Sequence, residues 1–107
     1  MSDMRIEIEA KDTSIIILNV VGEFMGLSAI NFQTTYQTYL DENVGCDIGL
    51  RMSDTTYIDS AGIGVLIVCD QIASNTGRSM FIMSPSLKVM KVIKSVKLDS
   101  RFKIINT

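Results

Sequence analysis

The sequence contains no histidine and no tryptophan, and only one proline and two cysteines among 107 residues. Histidine is the commonest general base and a frequent metal ligand, so its absence argues against catalysis or metal binding that depends on it. No apolar run approaches the roughly 20 residues that span a bilayer, and the N-terminus lacks the pattern of a secretory signal. We therefore expect a cytoplasmic protein without a membrane segment, in which Cys46 and Cys69 are reduced thiols.

The composition is that of a globular protein, with 47% hydrophobic and 21% charged residues. Its length predicts a single domain over residues 1–107. The formal net charge of −2 gives no general electrostatic reason to bind nucleic acid or an anionic membrane. The sequence also lacks a glycine-rich phosphate loop and a Gly-x-Ser-x-Gly elbow. We expect a protein that is not an enzyme and needs no cofactor or metal.

The periodicity of apolar residues predicts an α/β fold. Alternating or β-branched segments predict strands at residues 5–9, 14–21, 47–52, 79–83 and 102–105. Helical spacing predicts helices at residues 27–40 and 61–73, and a third helix that opens at Ser84-Pro85 and ends near Lys97. The predicted order is β-β-α-β-α-β-α-β, with a mixed sheet that is mostly parallel after a first hairpin.

Local signals predict where these elements begin and end. Gly22 is expected to end the second strand, and residues 53–57 form a polar connection. Ser28 is a candidate cap for the first helix. Ser84 is a candidate cap for the last helix, with Pro85 in the first turn, where its missing N–H has no cost.

The segment from Tyr57 to Gly64 lies between a strand and the most apolar helix of the chain. Asp59 or Ser60 can cap that helix by accepting hydrogen bonds from its first-turn N–H groups. A serine here is also a candidate phosphorylation site, since the helix N-terminus stabilises the added charge of about −1.5 to −2. The residues alone leave both interpretations open, with the cap favoured.

Two other charged groups have a chemical and a structural interpretation. Asp54 and Asp59 could bind magnesium as part of an aspartyl-phosphate site, although loop hydrogen bonds are the favoured explanation. Lys88, Lys91 and Lys94 form a stripe on the last predicted helix. A solvated face is favoured for that stripe over an anion-binding surface.

The hexapeptide Asp59-Ser60-Ala61-Gly62-Ile63-Gly64 resembles the Asp-Ser-x-Gly-[Leu/Ile]-Gly signature of the STAS domain, specifically of the bacterial anti-sigma factor antagonists. The resemblance extends over the chain from Arg5 to Asn106. It includes the Val-Gly-Glu that ends at Glu23, an acid at Asp54, the Ser84-Pro85 pair and the last predicted strand at residues 102–105.

This resemblance implies a partner-switching protein with Ser60 as its phosphoacceptor. The unphosphorylated form would bind an anti-sigma factor that is also a serine kinase of the histidine-kinase-like ATPase type, and a PP2C-type phosphatase would remove the phosphate. The candidate partner-binding residues are Thr55, Thr56, Tyr57, Asp59, Ser60, Gly62, Gly64, Val65 and Val68.

Two stretches depart from the family pattern. Phe24-Met25-Gly26 follows Glu23 where the family usually has an apolar residue and then a polar one, and the motif helix continues as Val68-Cys69-Asp70. The alternative is therefore a STAS interaction or scaffold module of a partner-switching pathway whose output is not a sigma factor.

Overall fold

The computed structural model describes residues 4–107 and confirms the predicted α/β fold. In chain order the elements are β1 (Arg5–Lys11), β2 (Ile15–Phe24), α1 (Gly26–Glu42), β3 (Asp47–Arg51), β4 (Thr55–Ile58), α2 (Ser60–Asn75), β5 (Met80–Met83), α3 (Leu87–Ser95) and β6 (Lys103–Ile105). The described residues thus form six strands and three helices, one strand more than the sequence predicts.

The sheet is mixed, with the strand order β1-β2-β3-β5-β6. β1 pairs antiparallel with β2, whereas the other pairings along this order are parallel, as expected. Each parallel crossover advances the sheet in the same direction. Because such crossovers are right-handed, the three helices lie on one face of the sheet.

The core lies between that face and the helices. Alternate residues of β2 point into it and are at most 1% exposed, namely Ile16, Leu18 and Val20. The hydroxyl of Tyr36 in α1 donates to the carbonyl oxygen of Cys69 in α2 at 2.9 Å, so the buried polar group is satisfied and the two helices are joined. Cys46 and Cys69 are both free and both buried.

The predicted connection over residues 53–57 is wrong, because most of it belongs to β4. This strand pairs parallel with the end of β2, which continues past Gly22 to Phe24. Gly22 adopts a φ of 98°, and the register between the two strands shifts beside it. The glycine thus allows an irregularity within β2 rather than ending the strand.

Two predicted helix starts are also corrected. α1 begins at Gly26, with Met25 as its N-cap residue, so Ser28 lies inside the helix. α3 begins at Leu87, and Ser86 rather than Ser84 caps it, by accepting from the Val89 N–H at 3.2 Å. Pro85 therefore precedes the helix instead of lying in its first turn.

Candidate functional site

Asp59 connects the N-termini of two helices. It is the N-cap residue of α2, and its Oδ1 accepts from the Gly62 N–H at 2.8 Å. Its Oδ2 accepts from the Gly26 N–H, the first residue of α1, at 3.1 Å. Since Met25 provides no side-chain cap for α1, one carboxylate serves both helix ends and carries the negative charge that their dipoles favour.

The start of α2 packs directly against the end of β2. A Cβ atom on Gly62 would lie 2.4 Å from the carbonyl oxygen of Phe24 and 2.8 Å from Cγ1 of Ile58. Glycine is therefore required for this close approach. A Cβ on Gly64 would meet nothing within 4 Å, and Gly64 is exposed. The two glycines of the motif therefore have different roles.

Hydrogen bonds through β4 extend this arrangement to α3. The Ser86 hydroxyl, at the N-cap of α3, donates to the backbone oxygen of Thr55 at 2.7 Å. The hydroxyl of Thr55, which is 1% exposed, donates to the backbone oxygen of Val20 at 2.7 Å. Both ends of β4 are thus connected to helix N-termini, through Thr55 to α3 and through Asp59 to α2 and α1.

Ser60 is the first residue of α2 and is exposed. Because Asp59 provides the cap, the Ser60 hydroxyl is not needed to satisfy the first-turn N–H groups. It lies next to the positive end of the helix dipole, where a phosphate is stabilised. The chemistry available here is thus the addition of an anion to an accessible hydroxyl on an ordered helix end.

The residues predicted to contact a partner divide between the surface and the interior. Thr56, Tyr57, Ser60 and Gly64 are exposed, and Asp59 and Val68 are partly buried. By contrast, Thr55, Gly62 and Val65 are buried. The buried three shape the surface from beneath, so the exposed set is the part that a rigid partner could touch.

Sequence reasoning did not identify three exposed apolar residues as candidates for this surface. Leu27 is 70% exposed and directly follows Gly26, which donates to Asp59. Ile30 is 52% exposed and lies one turn further along α1. Leu87 is 91% exposed and follows the α3 cap residue Ser86. The helical spacing places Leu27 and Ile30 outside the buried stripe of α1, and this pattern could have identified them as exposed from the sequence.

We call Leu27, Ile30, Tyr57 and Leu87 the apolar rim. Each belongs to the first turns of a helix, or to the strand, that the Asp59 and Ser86 hydrogen bonds hold together. Exposed apolar residues are typical of protein-binding surfaces where they form one patch. Leu27 follows Gly26, which donates to Asp59, and Tyr57 lies three residues before Ser60, so these two are the rim residues that the chain and the Asp59 hydrogen bond relate to the serine.

Asp59 is one of the two carboxylates on which the magnesium alternative depends. Both carboxylate oxygens of Asp59 already accept backbone N–H groups. Within residues 4–107, no group of three or more histidine, cysteine or acidic side chains is placed to hold a metal ion. Lys88, Lys91 and Lys94 are all exposed, which a solvated stripe and an anion-binding surface both require. No helix in the described part of the chain is long and apolar enough to cross a membrane.

Comparison with known proteins agrees with this fold. TM1081 of Thermotoga maritima, a proposed anti-sigma factor antagonist, is 26% identical, with a TM-score of 0.75 over 97% of this chain and 86% of its own. An anti-sigma factor antagonist from Mycobacterium paratuberculosis has a TM-score of 0.83 at 14% identity, over 98% of this chain and 87% of its own. SpoIIAA in its unphosphorylated form has a TM-score of 0.80 at 14% identity, over 96% of this chain and 88% of its own.

The sequence from residue 5 to residue 107 matches the STAS domain family, which is nearly the whole chain. The match therefore includes the capping aspartate, the exposed serine and both glycines of the motif. This chain belongs to the STAS domain family.

Proposed function

We propose that this chain is a cytoplasmic, non-catalytic regulatory protein of the anti-sigma factor antagonist type, a single STAS domain controlled by phosphorylation of Ser60. Its unphosphorylated form binds an anti-sigma factor that is also a serine kinase of the histidine-kinase-like ATPase type. Phosphorylation releases that partner, and a PP2C-type phosphatase restores binding. A related structure, of SpoIIAA in its phosphorylated form, has a TM-score of 0.74 to this chain.

One observation carries the proposal: Asp59 caps α2, which leaves the exposed Ser60 hydroxyl accessible at the helix N-terminus. A phosphate added there gains from the helix dipole and does not displace a buried group. The fold is therefore expected to tolerate the modification. What changes is the surface, where about two negative charges appear beside Asp59 and the apolar rim.

The charge change explains how binding would be lost. A partner that binds over the exposed start of α2 must remove water from the Ser60 hydroxyl. Desolvating a phosphate costs far more than desolvating a hydroxyl unless the partner supplies a cation. Binding thus requires the unmodified serine.

The proposal is tested by incubating the chain with ATP, magnesium and its cognate serine kinase of the histidine-kinase-like ATPase type. One phosphate should be added, and Ser60→Ala should abolish the addition. Ser74→Ala is the matched control, because it removes an exposed serine hydroxyl near the opposite end of the same helix and should leave labelling intact. Labelling that persists in Ser60→Ala would exclude Ser60 as the phosphoacceptor.

Partner binding distinguishes the proposal from a constitutive scaffold of the same fold. Ser60→Asp should weaken binding of the kinase, although only in part, since one carboxylate supplies less charge than a phosphate. Ser60→Ala should retain binding. Unchanged affinity for both variants would instead indicate a scaffold, in which the output need not be a sigma factor.

A further inference from the structure

β1 forms one edge of the sheet, with β2 on one side and no other described strand on the other. An edge strand presents unpaired backbone N–H and C=O groups that can pair with another chain. β1 is seven residues long, and its Ile8 is 51% exposed. The edge is thus both long enough to pair and partly apolar.

We propose that β1 pairs antiparallel with β1 of a second copy of this chain, about a two-fold axis at Ile6. In this register Ile6 lies opposite Ile6 of the second copy, and Met4 lies opposite Ile8. Arg5 of each copy lies opposite Glu7 of the other. The two sheets then form one continuous sheet across the dimer.

The two faces of β1 make this register self-complementary. Ile6 and Ile8 pair in register with Val20 and Leu18, so they lie on the helix side of the sheet. Arg5 and Glu7 lie on the opposite face, where they form an exposed ion pair at 3.3 Å within one chain. Residues directly opposite in an antiparallel pair share a face, so apolar residues meet apolar ones and opposite charges meet.

Other registers oppose like charges. An axis at Glu7 places Glu7 opposite itself, and its Arg5–Glu9 pairs would need Glu9, which lies in the β-bulge between Ile8 and Ala10. An axis at Arg5 places Arg5 opposite itself. An axis at Ile8 places Glu7 opposite Glu9 and Arg5 opposite Lys11. Registers shifted by one residue place isoleucines opposite charged side chains. Since like charges directly opposite destabilise a strand pair, the charge pattern selects one register.

The β-bulge limits how far this pairing extends. The ladder between β1 and β2 is irregular between Ile8 and Ala10. Regular pairing is therefore confined to residues 4–8, which gives a small interface. Small interfaces produce weak, concentration-dependent association. The dimer is expected to form reversibly as protein concentration rises.

Charge reversal on this edge tests the register. In sedimentation velocity, the natural sequence should show a monomer–dimer equilibrium. Arg5→Glu and Glu7→Arg should each weaken dimerisation about tenfold, because each converts both cross-strand pairs into like charges. Lys11→Glu is the matched control, since it changes an exposed charge of the same strand beyond the bulge and should have little effect.

Mixing the two variants is the decisive experiment. An Arg5→Glu chain paired with a Glu7→Arg chain again joins opposite charges at both cross-strand positions, so native mass spectrometry should show a heterodimer. The double variant, with both substitutions in one chain, should also dimerise. The proposal is overturned if the natural sequence stays monomeric, if all variants dimerise equally, or if mixing restores nothing.

Discussion

Replacing Asp59 by alanine should destabilise the fold through two helix ends at once. The lost cap on α2 costs about 1 kcal/mol. The lost hydrogen bond from Gly26, donated to a charged acceptor, costs about 1.5 kcal/mol. The sum of about 2.5 kcal/mol corresponds to a fall in Tm of about 10 °C for a domain of this size. Urea denaturation followed by circular dichroism measures the free energy of unfolding directly.

Two matched variants separate the contributions. Asp59→Asn keeps one acceptor oxygen but places an amide donor toward one of the two N–H groups. Its free energy of unfolding should therefore lie between that of the natural protein and that of Asp59→Ala. Asp54→Ala removes an exposed carboxylate from the turn before β4, at the opposite end of that strand from Asp59, and should change the free energy of unfolding by less than about 0.5 kcal/mol. If Asp59→Ala is no less stable than Asp54→Ala, the shared-cap reasoning is wrong.

Two further predictions follow from packing. Gly62→Ala should destabilise the fold by about 1–3 kcal/mol, because its Cβ would clash with the Phe24 backbone. Gly64→Ala should instead stabilise the fold by about 0.5–1 kcal/mol, since alanine favours the helix and the space is open. Chemical denaturation measures both changes in the free energy of unfolding, and two changes of the same sign would refute this reasoning. Cys69 should resist alkylation at pH 8 until the protein unfolds, because burial raises the pKa of its thiol to about 12. Rapid labelling of the native thiol, measured by peptide mass spectrometry, would contradict its placement.

Local patterns were sufficient to predict most of the fold. Alternation and β-branching in β2, together with the Asp59–Gly64 motif, indicate a strand, a turn and a helix without reference to distant residues. β4 was missed because its buried residues, Thr55 and Ile58, are separated by two exposed ones and so do not alternate. The sequence predicts Ser84 as the cap of α3, but the cap is Ser86, because the path of the backbone decides which serine faces the first turn of the helix.

The candidate site depends on contacts that no local pattern contains. The bond between Gly26 and Asp59 joins residues 33 positions apart in the sequence. It explains how α1 begins without a side-chain cap of its own, while the other oxygen of Asp59 caps α2 and leaves the Ser60 hydroxyl accessible. Likewise, the bond from the Ser86 hydroxyl to the Thr55 carbonyl oxygen joins the start of α3 to β4 across 31 positions. Sequence reasoning could name the serine but not its surroundings.

If phosphorylation of Ser60 controls partner binding, the two forms of the chain must differ in affinity for the kinase. Isothermal titration calorimetry measures this with the kinase, without ATP, against the chain carrying either serine or genetically encoded phosphoserine at position 60. Phosphoserine should weaken binding at least about tenfold, equivalent to about 1.4 kcal/mol, with unchanged circular dichroism. Equal dissociation constants for the two forms would contradict the claim.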